Sequence, residues 1–153
     1  MISLTNISKL QKEVSLISKS RLRGNNTRPR YRLNNKLKIQ LSNGINITIP
    51  KSFEWDQASV PRFLWTFLAP DGDFEIAYLI HDYLWINKEA MAELFSYYEM
   101  PFNRKFTDQE MLRWAKVTNG TKKPSLRNLD NYIRYIGVRA FGWLVWTGLI
   151  KLK

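Results

Sequence analysis

The spacing of apolar positions changes along the chain, and each change points to a different element. Ile7, Leu10, Val14 and Ile17 recur at helical spacing between Ser and Lys residues, which predicts a short amphipathic helix that needs a surface to dock on. From 18 to 32 the period disappears: the stretch SKSRLRGNNTRPRYR holds Gly24 and Pro29 and is dense in Arg, the pattern of a linker or extended arm. Leu37, Ile39 and Leu41 then alternate with polar residues, as do Ile45, Ile47 and Ile49, so two strands meet across Ser42-Asn43-Gly44. A two-residue Asn-Gly loop would throw the two apolar sets onto opposite faces. A three-residue loop pairs Leu41 with Ile45, keeps both sets together and places Gly44 in the left-handed position, so it is the expected turn.

Beyond Pro50 the pattern becomes helical. Ser59 can cap a helix with Pro61 in its first turn, running to about Leu68. Pro70-Asp71-Gly72 turns the chain, and Asp73 caps a helix from Phe74 to about Ile86 that carries His81 and Asp82. Another helix is expected over about Lys88 to Tyr98. Thr107 and Glu110 read as the capping box of the next, which ends at Asn119-Gly120. The last runs from about Leu126 or Leu129 to the C-terminus. The fold class is α+β, an N-terminal β-hairpin packed on a mainly helical body of four to five helices. Residues 1–31 form a basic helix and arm, and 32–153 a single domain. The apolar run Ala140 to Ile150 is too short to span a bilayer and reads as a buried helix, although Trp143 and Trp146 would also suit a membrane interface. No transmembrane segment is expected. Near the N-terminus Lys9, Lys12, Glu13 and Lys19 interrupt any secretory signal.

Charge adds a second pattern. Residues 1–51 carry a net charge of +10, residues 52–100 a net of −7, and residues 101–153 a net of +8, within a chain total of +11. Basic ends suit polyanions, while an acidic middle gathers carboxylates for pairing, metal binding or catalysis. The same distribution also arises if the terminal bases neutralise the middle within one fold.

Composition removes many chemistries. With no Cys and a single His among 153 residues, the chain by itself builds no disulfide framework, thiol nucleophile, structural zinc site or multi-histidine phosphohydrolase centre. Gln57-Ala58-Ser59-Val60-Pro61 lacks the Gly-x-Ser-x-Gly elbow, and there is neither a phosphate-binding Gly-Lys-Ser/Thr loop nor a dinucleotide glycine fingerprint. His81 remains the one side chain that titrates near neutrality without help. It lies beside Asp82, with Tyr78 and Trp85 one helical turn away on either side. A lone His on a half-apolar helix is more often structural than catalytic. Asp56, Ser59 and Arg62 have equally plain roles open to them in turn bonding, capping and ion pairing.

Phe53-Glu54-Trp55-Asp56-Gln57-Ala58-Ser59-Val60-Pro61-Arg62, Trp65, Ile80-His81-Asp82-Tyr83-Leu84 and Val138-Arg139-Ala140-Phe141-Gly142-Trp143 together resemble the domain of unknown function 1353 family of tailed phages and prophages. The resemblance covers about Arg32 to Trp146. Trp85 stands where the family usually has Tyr. The family's Arg-x-x-Ala-Asp element is matched by Arg104 to Asp108 with Thr107 in place of Ala, or alternatively by Lys88-Glu89-Ala90 with Met91 in place of Asp. The resemblance implies a phage protein, located in the virion or the infected host cytoplasm, with other virion proteins as partners. The His-Asp block is also reminiscent of secreted phospholipases A2, in which His activates water, the adjacent Asp binds calcium and a distant Asp orients the His. By that analogy His81, Asp82 and Asp108 are candidate catalytic residues, with Asp82 the metal ligand and Ca2+ the cofactor, and Asp56 of the first block joins them in the candidate hydrolytic site. Ser59, Arg62, Tyr83 and Arg139 are then candidates for holding substrate. That family's disulfides and glycine-rich calcium loop are absent here, and Asp71-Gly72-Asp73-Phe74-Glu75 is at best a different oxygen-rich loop.

Two other classes stay open. In a non-enzymatic virion or host-interaction component, the Asp56-to-Arg62 and His81-Asp82 blocks would form a polar network that locks the fold. In a binder of nucleic acid or anionic lipid, Arg21, Arg23, Arg28, Arg30 and Arg32 would meet phosphates while Tyr31 stacks on a base. A cleft beside His81 suits an enzyme, and a sealed His81 suits a lock. Arg139, costly to bury alone, is expected to pair with a carboxylate of the acidic middle around Asp56 and Asp82, the alternative being that it snorkels to solvent.

Overall fold

The computed structural model describes residues 2–3, 19–22, 30–56, 75–118 and 124–147. Among these are six short strands and four helices in an α+β arrangement: β1 (Ile2–Ser3), β2 (Lys19–Leu22), β3 (Arg30–Leu33), β4 (Leu37–Gln40), β5 (Asn46–Ile49), β6 (Glu54–Asp56), α1 (Glu75–Ile86), α2 (Lys88–Tyr97), α3 (Arg104–Thr118) and α4 (Pro124–Trp146). The expected amphipathic helix at Ile7–Ile17, the helix from Ser59 to Leu68 and the Pro70–Asp73 turn fall outside the described residues, as do Arg23, Arg28, Ser59 and Arg62.

The hairpin forms with the three-residue loop. Leu41 N donates to Ile45 O at 2.8 Å, Gly44 N to Leu41 O at 2.9 Å, and Gly44 takes φ +88°. This register sets Ile39 opposite Ile47 and Leu37 opposite Ile49, so Ile39, Leu41, Ile45, Ile47 and Ile49 are all buried on one face. β1 joins the other edge of β4 in parallel.

The expected arm contains strands. β2 pairs with β3 and β3 with β6, both antiparallel, in a second sheet of order β2-β3-β6. The reason lies in Arg30-Tyr31-Arg32-Leu33, which alternates polar and apolar positions beneath its Arg content: Leu33 is buried and the Tyr31 ring stacks on Trp55 at 5.7 Å. Arg32 binds Glu54 across the strands, Nε at 3.0 Å and Nη2 at 2.6 Å from Oε1.

α1 lies at the centre. Ile76, Ala77, Tyr78, Leu79, Ile80, His81, Leu84 and Trp85 are all buried, so the first half of the helix is enclosed on every side, packed against α3 and β6. Trp114 and Met111 of α3, Phe95 and Met91 of α2 and Val138 of α4 complete the core.

Two expectations about helix ends need correction. α3 is capped by Asn103, whose Oδ1 accepts from Phe106 N at 3.0 Å, so Thr107 and Glu110 form no capping box. Both lie inside the helix and are fully buried. Glu110 instead accepts from Ser42 N (3.2 Å), Ser42 Oγ, Arg113 Nη1 (3.0 Å) and Trp114 Nε1 (3.2 Å), which ties α3 to the hairpin turn. α4 begins at Pro124, earlier than expected, with Pro in the first turn where its missing N–H costs nothing. It is not simply the buried helix expected from the Ala140 run, since Ala140 and Trp143 are exposed and Trp146 packs edge-on against Trp85 at 5.3 Å.

Candidate functional site

His81 sits in the enclosed half of α1, where α3 and α4 both approach. Its Nε2 lies 3.0 Å from Asp108 Oδ1, and the other carboxylate oxygen of Asp108 accepts from Arg139 Nη1, also at 3.0 Å. On the far side of the ring, His81 Nδ1 is 3.8 Å from Asp82 Oδ1, too long for a hydrogen bond. The four groups form a row, Arg139, Asp108, His81 and Asp82, that alternates in sign when His81 is protonated. His81 and Asp108 are 0% exposed, while the Asp82 and Arg139 side chains retain 12% and 33% exposure.

The hydrogen-bond directions follow from the partners. Asp108, paired with a guanidinium, is an ionised acceptor, so the imidazole must carry its proton at Nε2. In the neutral ring Nδ1 then presents a bare lone pair. Among the described residues, His81 Nδ1 is a buried polar atom with no hydrogen-bond partner. Burial pulls the His81 pKa down, the hydrogen bond to Asp108 and the nearness of Asp82 push it up, and the balance lies above the ordinary 6.5.

Neighbours fix the ring and its partners. The Trp85 ring lies 4.9 Å from the imidazole at 38°, and Trp85 Nε1 donates to Thr107 Oγ1 at 2.9 Å, which in turn donates to Arg104 O at 2.8 Å. Arg104 Nη1 donates to Arg139 O at 3.0 Å, joining α3 to the backbone that carries the Asp108-binding guanidinium. Gly142 gives Trp85 its place: a Cβ there would stand 2.8 Å from Trp85 Cη2. Trp85 is visible in the sequence as the residue one turn after His81. Thr107 and Gly142 carry no signal of their role beyond their positions in the quoted blocks.

Other expectations are revised. Arg139 pairs with Asp108 of α3, in the basic C-terminal third, rather than with a carboxylate near Asp56 and Asp82; a short side chain one turn into α3 outcompetes the larger acid surplus because it lies directly across from α4. Tyr83 is turned to the hairpin: its hydroxyl donates to Thr48 O at 3.1 Å and its ring meets Phe53 edge-on at 5.3 Å, so it ties α1 to β5. Burial also raises the Tyr83 pKa above 10.0. The Asp56 backbone ends β6 opposite Arg30, and its side chain lies outside what is described. Of the candidate polyanion-binding residues, Arg21 and Arg30 fall in β2 and β3, and the Arg32 guanidinium is held by Glu54.

The described residues do not make a calcium site. Among them no three His, Cys, Asp or Glu side chains come together to hold a metal, Asp108 is engaged on both oxygens, and Asp82 alone falls far short of the roughly six to eight oxygens calcium takes. No helix among them is long and apolar enough to cross a membrane.

No curated protein and no solved structure matches the chain. One family does match, over residues 31–125, a range that runs from β3 into α4 and contains His81, Asp82 and Asp108 but stops before Arg139. With that match spanning more than half of its length, the chain belongs to the family described as "Protein of unknown function (DUF1353)".

Proposed function

We propose that the protein is a hydrolase in which His81 is the general base and Asp108, held by Arg139, orients it. One observation carries this reading: Nε2 is fixed by a carboxylate engaged on both oxygens while Nδ1, fully buried, has no hydrogen-bond partner among the described residues, the Asp82 carboxylate standing 3.8 Å away. Buried polar atoms in folded proteins are nearly always paired, and an exception calls for an explanation such as a water or a reacting group. In the proposed step Nδ1 takes a proton from water as the water oxygen bonds to an acyl carbon. The imidazolium returns that proton to the leaving oxygen as the acyl–oxygen bond breaks. Asp108 stabilises the transient imidazolium throughout. The reading does not require calcium. A phage origin is supported by the family resemblance of the quoted blocks.

A second reading is favoured by the closure of the site. In it the Arg139–Asp108–His81–Asp82 chain is a polar lock in a non-enzymatic virion or host-interaction component, and 0% exposure of both His81 and Asp108 is what such a lock requires. Turnover of short-chain carboxylic esters and of phospholipid vesicles by the wild type and by His81→Gln separates the two. A hydrolase shows activity that rises with pH through the His81 pKa and is lost in His81→Gln. A wild type that hydrolyses neither class, with a His81→Gln variant that only melts earlier, overturns the hydrolase in favour of the lock.

A further inference from the structure

α4 is inverted in its polarity. Its buried face carries Asn131, Arg134, Val138 and Gly142, with Arg134 Nη1 donating to the Tyr78 hydroxyl. The opposite face is open to solvent and apolar: Leu129 is 58% exposed, Ile133 37%, Ile136 61% and Trp143 48%, with exposed Ala140 between them. These positions advance by four, three, four and three residues, the spacing that keeps a seam on one side of a helix over a length of roughly 20 Å. Together they expose on the order of 500 Å² of nearly continuous apolar surface, the size of the largest apolar patch on a folded domain, which is often functional.

We infer that this face is the interface of a homodimer, formed by α4 packing antiparallel on α4 of a second copy. Two such faces would bury roughly 1,000 Å² in total, the lower bound for a specific interface. In the antiparallel register Ile136 meets the partner's Ala140 and Ile133 meets the partner's Trp143, so large side chains fall opposite smaller ones. The charges along the helix favour a protein over a lipid occupant. Between Leu129 and Trp143 the only cations are Arg134, buried against Tyr78, and Arg139, bound to Asp108, with Arg127 and Lys151 beyond the two ends of the seam, whereas a helix lying on anionic lipid carries free Lys or Arg along the polar face beside its apolar one. A seam without free charge is also where two copies of a +11 chain can approach with least repulsion.

Sedimentation equilibrium over a wide concentration range tests the inference, using the wild type, Ile136→Glu and, as a control at another exposed aromatic, Tyr97→Ser. Ile136 is exposed, so the Glu variant should keep the wild-type circular dichroism. The expected result is a wild-type dimer that tightens as salt is raised, an unchanged Tyr97→Ser, and at least about a hundredfold weaker association in Ile136→Glu because each copy would bury a charge. A wild type that is monomeric throughout overturns the inference, as does a dimer that survives Ile136→Glu. A monomer that binds anionic phosphatidylserine vesicles and loses that binding in Ile136→Glu also overturns it, and assigns the face to membranes.

Discussion

Replacing Arg139 with Met retains most of the side chain's packing volume and removes one charge-assisted hydrogen bond to a carboxylate with no access to water. Orphaning a buried charge costs about 3–5 kcal/mol when no other partner remains. Here Asp108 keeps His81, and the Arg139 side chain is 33% exposed, so water already screens part of the pair. A cost of about 2 kcal/mol follows, close to the value of a single hydrogen bond to a charged group. For a domain of this size, that lowers Tm by about 4–8 °C. Urea unfolding followed by tryptophan fluorescence supplies the free energies for Arg139→Met, Asp108→Asn and the double variant. Because both singles break the same bond, the double should lose less than their sum by about 1 kcal/mol or more. The single His reads the same change independently: loss of the Arg139 charge leaves Asp108 more available to the imidazolium and raises the His81 pKa further, whereas Asp108→Asn lets burial dominate and lowers it. A silent Arg139→Met, or singles that add without coupling, refutes the pairing and the orientation of His81 built on it.

Stability should depend on pH with a definite sign. The folded pKa of His81 lies above its unfolded 6.5, so its contribution is complete below 6.5 and is lost as pH rises through the folded value; His81→Gln should abolish this slope in denaturation curves measured across that range. Gly142→Ala places a methyl 2.8 Å from Trp85 Cη2 and should destabilise by about 1–3 kcal/mol while shifting the near-ultraviolet dichroism of the tryptophans; an unperturbed spectrum contradicts the close packing of α4 on Trp85. Glu110→Ala strips the acceptor from Ser42 and Trp114 at once and should cost about 2–4 kcal/mol in urea unfolding without moving the His81 pKa.

Much of the fold was legible because it rests on local rules. The turn at Ser42-Asn43-Gly44 followed from one question, which loop keeps Ile39 and Ile47 on the same face, and only one answer buries both. β3 was not legible in the same way, because the Arg content of Arg30-Tyr31-Arg32-Leu33 masks its alternation and its partner β6 is distant in sequence. The capping box at Thr107 and Glu110 misled because a local pattern was satisfied by two residues that tertiary packing had claimed: Thr107 for Trp85, and Glu110 for the hairpin turn. At the site, His81 and Asp108 could be named from residue type and the quoted blocks. That Arg139 would choose Asp108 could not, since net charge by segment carries no distance, and α3 lies closer to α4 than the acid surplus suggests. Tyr83 looked like part of the site because it follows His81 and Asp82 in sequence, yet two residues along a helix turn a side chain to the other face, here toward Thr48.

The most direct measurement uses the fact that the chain has one histidine: a nitrogen-15 and proton NMR titration of the His81 ring in the 153-residue chain needs no assignment. The expected result is a pKa above 6.5, a neutral form above it protonated at Nε2 with a bare Nδ1, and loss of the elevation in Asp108→Asn. A pKa at or below 6.5, or a neutral ring protonated at Nδ1, would contradict the orientation of His81 by Asp108 on which the proposed chemistry depends.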